Sequence, residues 1–224
     1  MSVYTISRKL GSEGTAIGRE LAERLGYDYV DKHHLSKMMK DYGFSNFDKI
    51  YEEMPDFRDR FDEYREDTIN FLAEMILAVA HHDNVVIAGR GSFGLLDQFS
   101  DVINIRVKAP MSCRVHRIMK EENLTQGEAK TKITRNDKVR KSFVESDLRF
   151  SYTDSTEFDI ILDTSVIPPG MCVDWLVQAH EATGGKRDDE RPSVKDMKVD
   201  SILVNHVTKM LKIFRENPDY VRGA

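Results

Sequence analysis

The feature that most constrains this chain is its first twenty-five residues. A short apolar run over 3–7 (Val-Tyr-Thr-Ile-Ser) leads into the turn Arg8-Lys9-Leu10-Gly11-Ser12-Glu13-Gly14. Behind the turn, Ile17, Leu21, Ala22 and Leu25 fall at helical spacing, and Gly26 ends the helix. A brief strand feeding a helix through a glycine-rich turn is the opening unit of a parallel sheet. Four further runs read as strands, at 27–30, 85–88, 102–107 and 158–162. Helical patterns separate them: a region broken near Gly43 and Pro55, a long amphipathic stretch from Phe57, and segments over 111–123, 125–150 and 169–181. The expected fold is therefore α/β, with five parallel strands and helices on both faces of the sheet. A polar linker is expected over 184–192. After it Val199, Ile202, Leu203, His206, Val207, Met210, Leu211 and Phe214 form one more amphipathic stripe.

Such sheets bind ligands at the carboxyl ends of their strands. Gly11, Ser12, Gly14 and Thr15 fit a loop whose amides approach a phosphate at the positive end of a helix. The Walker pattern G-x-x-x-x-G-K-[ST] is met only in part. With Gly14-Thr15 aligned to its end, Glu13 stands where the lysine belongs, and Arg8 or Lys9 would have to supply the charge. The alternative is an ordinary strand–turn–helix whose glycines serve geometry alone. Arg90, in Gly89-Arg90-Gly91-Ser92 after the third strand, either points its planar fork at a phosphate or caps a surface turn. In the charged helix, Asp137 and Arg140 share a face; this helix is either a flap over a phosphate chain or a solvated face. Asp31 is either a ligand contact or a helix N-cap, and His33 and His34 are expected at the surface.

The net charge of −5 argues against a nucleic-acid polymer as partner. The two cysteines, Cys113 and Cys172, suggest neither a metal site nor a disulfide framework, and suit a reducing cytoplasm. The apolar runs are too short to span a bilayer, so no membrane association is expected. No metal-ligand cluster is expected.

Taken in order, Ile6-Ser7-Arg8 with Gly11-Ser12-x-Gly14 and Ile17-Gly18, Tyr29-Val30-Asp31-Lys32, Ala88 to Ser92, Asp137-Lys138-x-Arg140 with Phe143, and Phe158 to Ser165 resemble the cytidylate kinase-like family of P-loop nucleoside-monophosphate kinases. The resemblance covers about 3–182. It implies a P-loop NTPase-type domain over 1–183, with a helical monophosphate-binding insert (about 32–84), a helical lid (about 124–156), and the segment 184–224 outside it. It implies phosphoryl transfer from ATP, with Mg²⁺, to a small acceptor such as CMP. Arg8, Lys9, Gly11, Ser12, Gly14 and Thr15 would hold ATP. Asp31, Arg90, Ser92, Asp137 and Arg140 would hold the acceptor. Arg90, Arg135 and Arg140 would act on the transferring group, with Arg149 a further lid arginine. Glu13 leaves open the alternative of an inactive nucleotide-binding regulator. The long helices over 57–81 and 199–214 also allow a homo-oligomer.

Overall fold

The computed structural model of this chain describes residues 2–45, 47, 62–152, 155–187 and 190–222. Pro55 and the first turn of the helix expected from Phe57 lie outside them. The described residues hold one parallel five-stranded sheet made of β1 (Val3–Arg8), β2 (Asp28–Val30), β3 (Val85–Ala88), β4 (Val102–Lys108) and β5 (Ile160–Asp163), in the order β2-β3-β1-β4-β5. β1 is the centre: Ile6 is in register with Ala88 on one side and with Ile105 on the other. Alternate side chains of a strand point to opposite faces, so a central strand needs cover on both. Val3 faces a core shared with Leu72, Ile76 and Val79. Tyr4 and Ile6 face a second core built from Ile17, Leu21, Val173 and Leu176.

The first of these cores is closed by α2 (Lys32–Lys40) and α3 (Glu63–His82), the second by α1 (Gly14–Leu25) and a helix after β5. The short α4 (Ser92–Leu96), which the sequence pattern does not announce, follows β3 directly. After β4 come α5 (Met111–Glu122) and α6 (Gln126–Ser142), with Thr125 and Glu128 forming a capping box between them. These two helices pack on each other through a small separate core of Val115, Ile118, Ala129 and Ile133. The charged stretch expected to be mostly helical over 125–150 is so: α6 runs on into a π-turn, Phe143–Asp147. α7 (Pro169–Thr183) returns under the sheet beside α1.

The segment expected as a linker is tied down where it is described. Arg187 donates to the Asp159 carboxylate at 2.7 Å and to the carbonyls of Asp97 and Phe99 at 2.9 and 3.1 Å. The Val194 amide donates to Asp101 at 2.8 Å. The chain then enters α8 (Ser201–Glu216) and the short α9 (Asp219–Arg222). The apolar stripe of α8 joins the core under α3: Leu203, Val207, Met210, Leu211 and Phe214 are all buried there. Ile202 is the exception at 70% exposed, because it lies on the outer side of the helix's first turn.

Leu211 is 1% exposed in this core, so Leu211→Ala leaves a cavity and should lower unfolding free energy by about 2–5 kcal/mol. Urea denaturation measures this. A loss under about 0.5 kcal/mol, the range of ordinary surface changes, would show that α8 is not part of the folded core.

Candidate active site

The loop between β1 and α1 is shaped from behind. The Ser12 hydroxyl donates to the carbonyls of Lys9 at 2.8 Å and Val107 at 3.2 Å, and Ser12 is fully buried. The Thr164 hydroxyl, at the end of β5, donates to the Ser12 carbonyl at 3.0 Å. Arg117 of α5 donates to the carbonyls of Gly11 at 3.1 Å and Thr164 at 2.7 Å. Ser12 therefore fixes the loop with its side chain rather than offering that hydroxyl to a ligand. Glu13 is the N-cap of α1, in the left-handed region at φ 63°, and no side chain caps the helix. The positive end of α1 is left to whatever anion arrives. Glu13 itself lies 3.7 Å from Arg117.

Arg8 settles which cation faces this opening. Its side chain leaves the end of β1, donates through Nε to the Thr15 hydroxyl at 3.4 Å, and reaches across to the β3–α4 turn. Two glycines make room for it. A Cβ on Gly14 would stand 2.5 Å from Arg8 Cβ, and one on Gly89, where φ is +84°, would stand 2.0 Å from Arg8 Nη1. Gly14 thus serves the close approach of α1 to β1. Lys9 does not line the cleft described next.

That cleft, of about 1010 Å³, opens over the carboxyl ends of the strands and under α6. Arg8, Thr15, Arg19, Asp31, Arg90, Arg135 and Arg140 all line it. Arg140 reaches down from α6 and donates through Nη1 to the Arg8 carbonyl at 2.6 Å. Burial, then the Arg8 guanidinium, push the Arg140 pKa down to about 10, and burial lowers that of Arg8. Arginine stays protonated in proteins, so both groups are cations. Enclosed guanidinium groups crowded in this way are costly unless an anion compensates them.

Asp31 combines both of its expected roles. It caps α2 by accepting from the His33 amide at 2.9 Å, and it faces the cleft, paired to Arg19 at 3.2 Å. Burial alone would raise its pKa. The hydrogen bond from the His34 ring, its charge and the His33 amide outweigh that and hold the carboxyl well below the usual range. His33 is exposed, but His34 is not at the surface as expected: its ring donates through Nδ1 to the Asp31 carboxylate at 2.9 Å and meets Phe214 edge-on at 4.8 Å.

Ser92 lies below the cleft, in a smaller cavity that Arg90 and Arg140 also line. Asp137 turns away from Arg140 to pair with Arg114 of α5 at 2.9 Å. Arg149 is exposed and lies outside the cleft lining. Sequence reasoning missed Arg19, Arg114 and Arg117. Arg114 and Arg117 are three apart on α5, a spacing that puts both on the face toward the loop. Arg19 follows Thr15 by one helical turn.

The model of the cytidylate kinase-like family matches residues 3–166. The cytidylate kinase of Halobacterium salinarum is 22% identical over 199 residues, which are 88% of this chain and 98% of that protein. The cytidylate kinase of Pyrococcus furiosus is 29% identical over 170 residues, 75% of this chain and 82% of that one. Among solved structures, an uncharacterized protein from Eubacterium ventriosum superposes with a TM-score of 0.60 at 19% identity, covering 81% of this chain and 99% of its own. A sugar kinase from Janibacter sp. does so at 0.51 and 15%, covering 84% and 99%. Those two likenesses concern the fold. The loop, the arginine-lined cleft and the family match over most of the length agree, and the chain, a phosphotransferase of the nucleotide-kinase type, belongs to the cytidylate kinase-like family.

Proposed function

We propose that this kinase transfers the γ-phosphoryl group of ATP to a nucleoside monophosphate, with CMP the first acceptor to test. The observation that carries the reading is the convergence of Arg8, Arg90 and Arg140 on one cleft beside the uncapped start of α1. In this reading the 11–15 loop and Arg8 hold the phosphates of ATP, and Arg90, Ser92 and Arg140 hold the acceptor's phosphate. Arg135, on the exposed side of α6, meets the transferring group from above. The insert (about 32–84) and the lid (about 124–156) are the parts that grip acceptor and donor. The first helix of the lid, α6, packs on α5 through a small core separate from those of the sheet. Part of the proposed insert, 46 and 48–61, lies outside the described residues, as do 153–154 of the lid.

Phosphoryl transfer asks a protein mainly to position two reactants and to stabilise spreading negative charge. Enclosed guanidinium groups do this without reorganising water. Mg²⁺ supplies charge neutralisation on the donor phosphates when bound. It keeps few protein ligands in such sites, and the Thr15 hydroxyl at the start of α1 is one cleft-lining oxygen that would hold it. Among the described residues no three His, Cys, Asp or Glu side chains cluster for a metal, which leaves the phosphates and water to complete its shell. Glu13 favours a second reading, a regulator that binds nucleotide without turnover. Arg8 weighs against it, because a cation still reaches the loop without the lysine.

The two cations of the loop separate the readings. Arg8→Ala should lower turnover of ATP with CMP by about two to three orders of magnitude, while Lys9→Ala stays near the parent. Equal losses in both would overturn the assignment of Arg8. Glu13→Lys should give no gain in turnover, since Arg8 already occupies the approach; a large gain would show that the loop is a disabled Walker site. Saturable ATP binding with no turnover on any nucleoside monophosphate would establish the regulator.

A further inference from the structure

Below the β3–α4 turn lies a second cavity of about 70 Å³, bounded among others by Ser7, Arg90, Ser92, Arg140, Phe143 and Tyr152. It is less than half the ~150 Å³ that admits a benzene ring. That size suits a tetrahedral oxyanion better than a base or a ribose. Tyr152 forms part of its wall. The residue is 6% exposed, and among the described residues its buried hydroxyl has no hydrogen-bond partner.

The ring is held in place by other contacts. The Tyr152 carbonyl accepts from Arg106 Nη1 at 2.7 Å, and the Arg106 guanidinium lies 4.8 Å from the ring centroid. Buried hydroxyls without a partner are rare and cost stability. Here the orphan belongs to a residue in the wall of a cavity that two cations of the proposed acceptor site also line, and burial strengthens any hydrogen bond made there. Burial raises the phenol pKa, against the opposing pull of Arg140, so the group remains a donor at neutral pH.

We propose that Tyr152 is a specificity-determining residue whose hydroxyl donates a hydrogen bond to an oxygen of the acceptor's phosphate, seated in this cavity between Arg90 and Arg140. The inference rests on the reading that the acceptor is phosphorylated. The arginines supply attraction to any anion. The phenol adds a neutral donor fixed in direction, at a wall that only a phosphate-sized group reaches. An acceptor that offers a bare hydroxyl leaves the Tyr152 hydroxyl without a partner. The base then lies outside the cavity, in the larger cleft.

The test is Tyr152→Phe, which removes the hydroxyl and keeps the ring. Calorimetric titrations with inorganic phosphate, CMP and ATP are run on both proteins, with melting temperatures of the ligand-free forms. The expected result is a ligand-free variant at least as stable as the parent, because an unpaired buried group is gone. Affinity for phosphate and CMP falls about ten- to a hundredfold, ATP affinity is unchanged, and KM for CMP rises more than kcat falls. A ligand-free variant clearly less stable than the parent would mean that the hydroxyl has a structural partner, and would overturn the proposal. So would equal affinity of both proteins for phosphate and CMP, which leaves the phosphorylated-acceptor reading intact. A parent protein that binds ATP but neither phosphate nor any nucleoside monophosphate would remove that reading, and this inference with it.

Discussion

The structure around the cleft depends on the enclosure of Arg8. Its guanidinium must leave the end of the central strand, pass the start of α1 and lie against the turn after β3, all within a few ångströms of backbone. Gly14 and Gly89 leave that path clear, since a Cβ on either would come within 2.5 Å of the Arg8 side chain. The Arg8 carbonyl in turn accepts from Arg140, so the same residue sets the position of α6 over the cleft. Two cations are thus held close together in a partly dry place, against their mutual repulsion and their desolvation. Such an arrangement is a poor way to stabilise a fold and a good way to await an anion. The fold tolerates it because the sheet below and the bonds from Arg117 and Thr164 fix the loop from the other side.

This also explains how a loop without the Walker lysine keeps a cation. In the standard pattern the lysine sits at the start of the helix, after the loop. Here that position is Glu13, whose backbone takes the left-handed conformation and whose side chain lies toward Arg117. The cation comes from before the loop, at the last residue of β1. The sheet therefore delivers a charge that the helix does not, and the amides at the start of α1 have no side-chain cap.

How much of this was legible in the sequence follows from range. The strands were legible because each is a short apolar run: Val85–Ala88 is buried at every position, as a central parallel strand must be. Strand order was not, since β1 pairs with β3 and β4 through contacts that no local pattern encodes. The candidate residues at strand ends, Arg8, Asp31 and Arg90, were readable because a residue just past a parallel strand faces the ligand side. The residues on helices were less so. Asp137 and Arg140 are three apart and looked like one contact, yet that offset is enough to send one to Arg114 and the other to Arg8. Tyr152 carried no signal at all. It follows a π-turn, and its surroundings come from β3, α4 and α6 at once.

The family match ends at residue 166, and the C-terminal helix beyond it still reaches the site by a short route. Phe214 of α8 packs edge-on against His34, His34 bonds Asp31, and Asp31 pairs with Arg19 at the cleft wall. Arg215 of the same helix meets Asp28 at 3.0 Å, at the start of the strand that leads to Asp31. α8 therefore braces β2 and α2 from behind, while its apolar stripe is sealed against α3. A helix that looked separable from its position after a polar stretch is, by these contacts, part of what holds one wall of the cleft in register with the loop. Its amphipathic pattern showed that it must dock. Only the pairing of His34 with Phe214 shows that it docks where an acidic cleft residue is anchored.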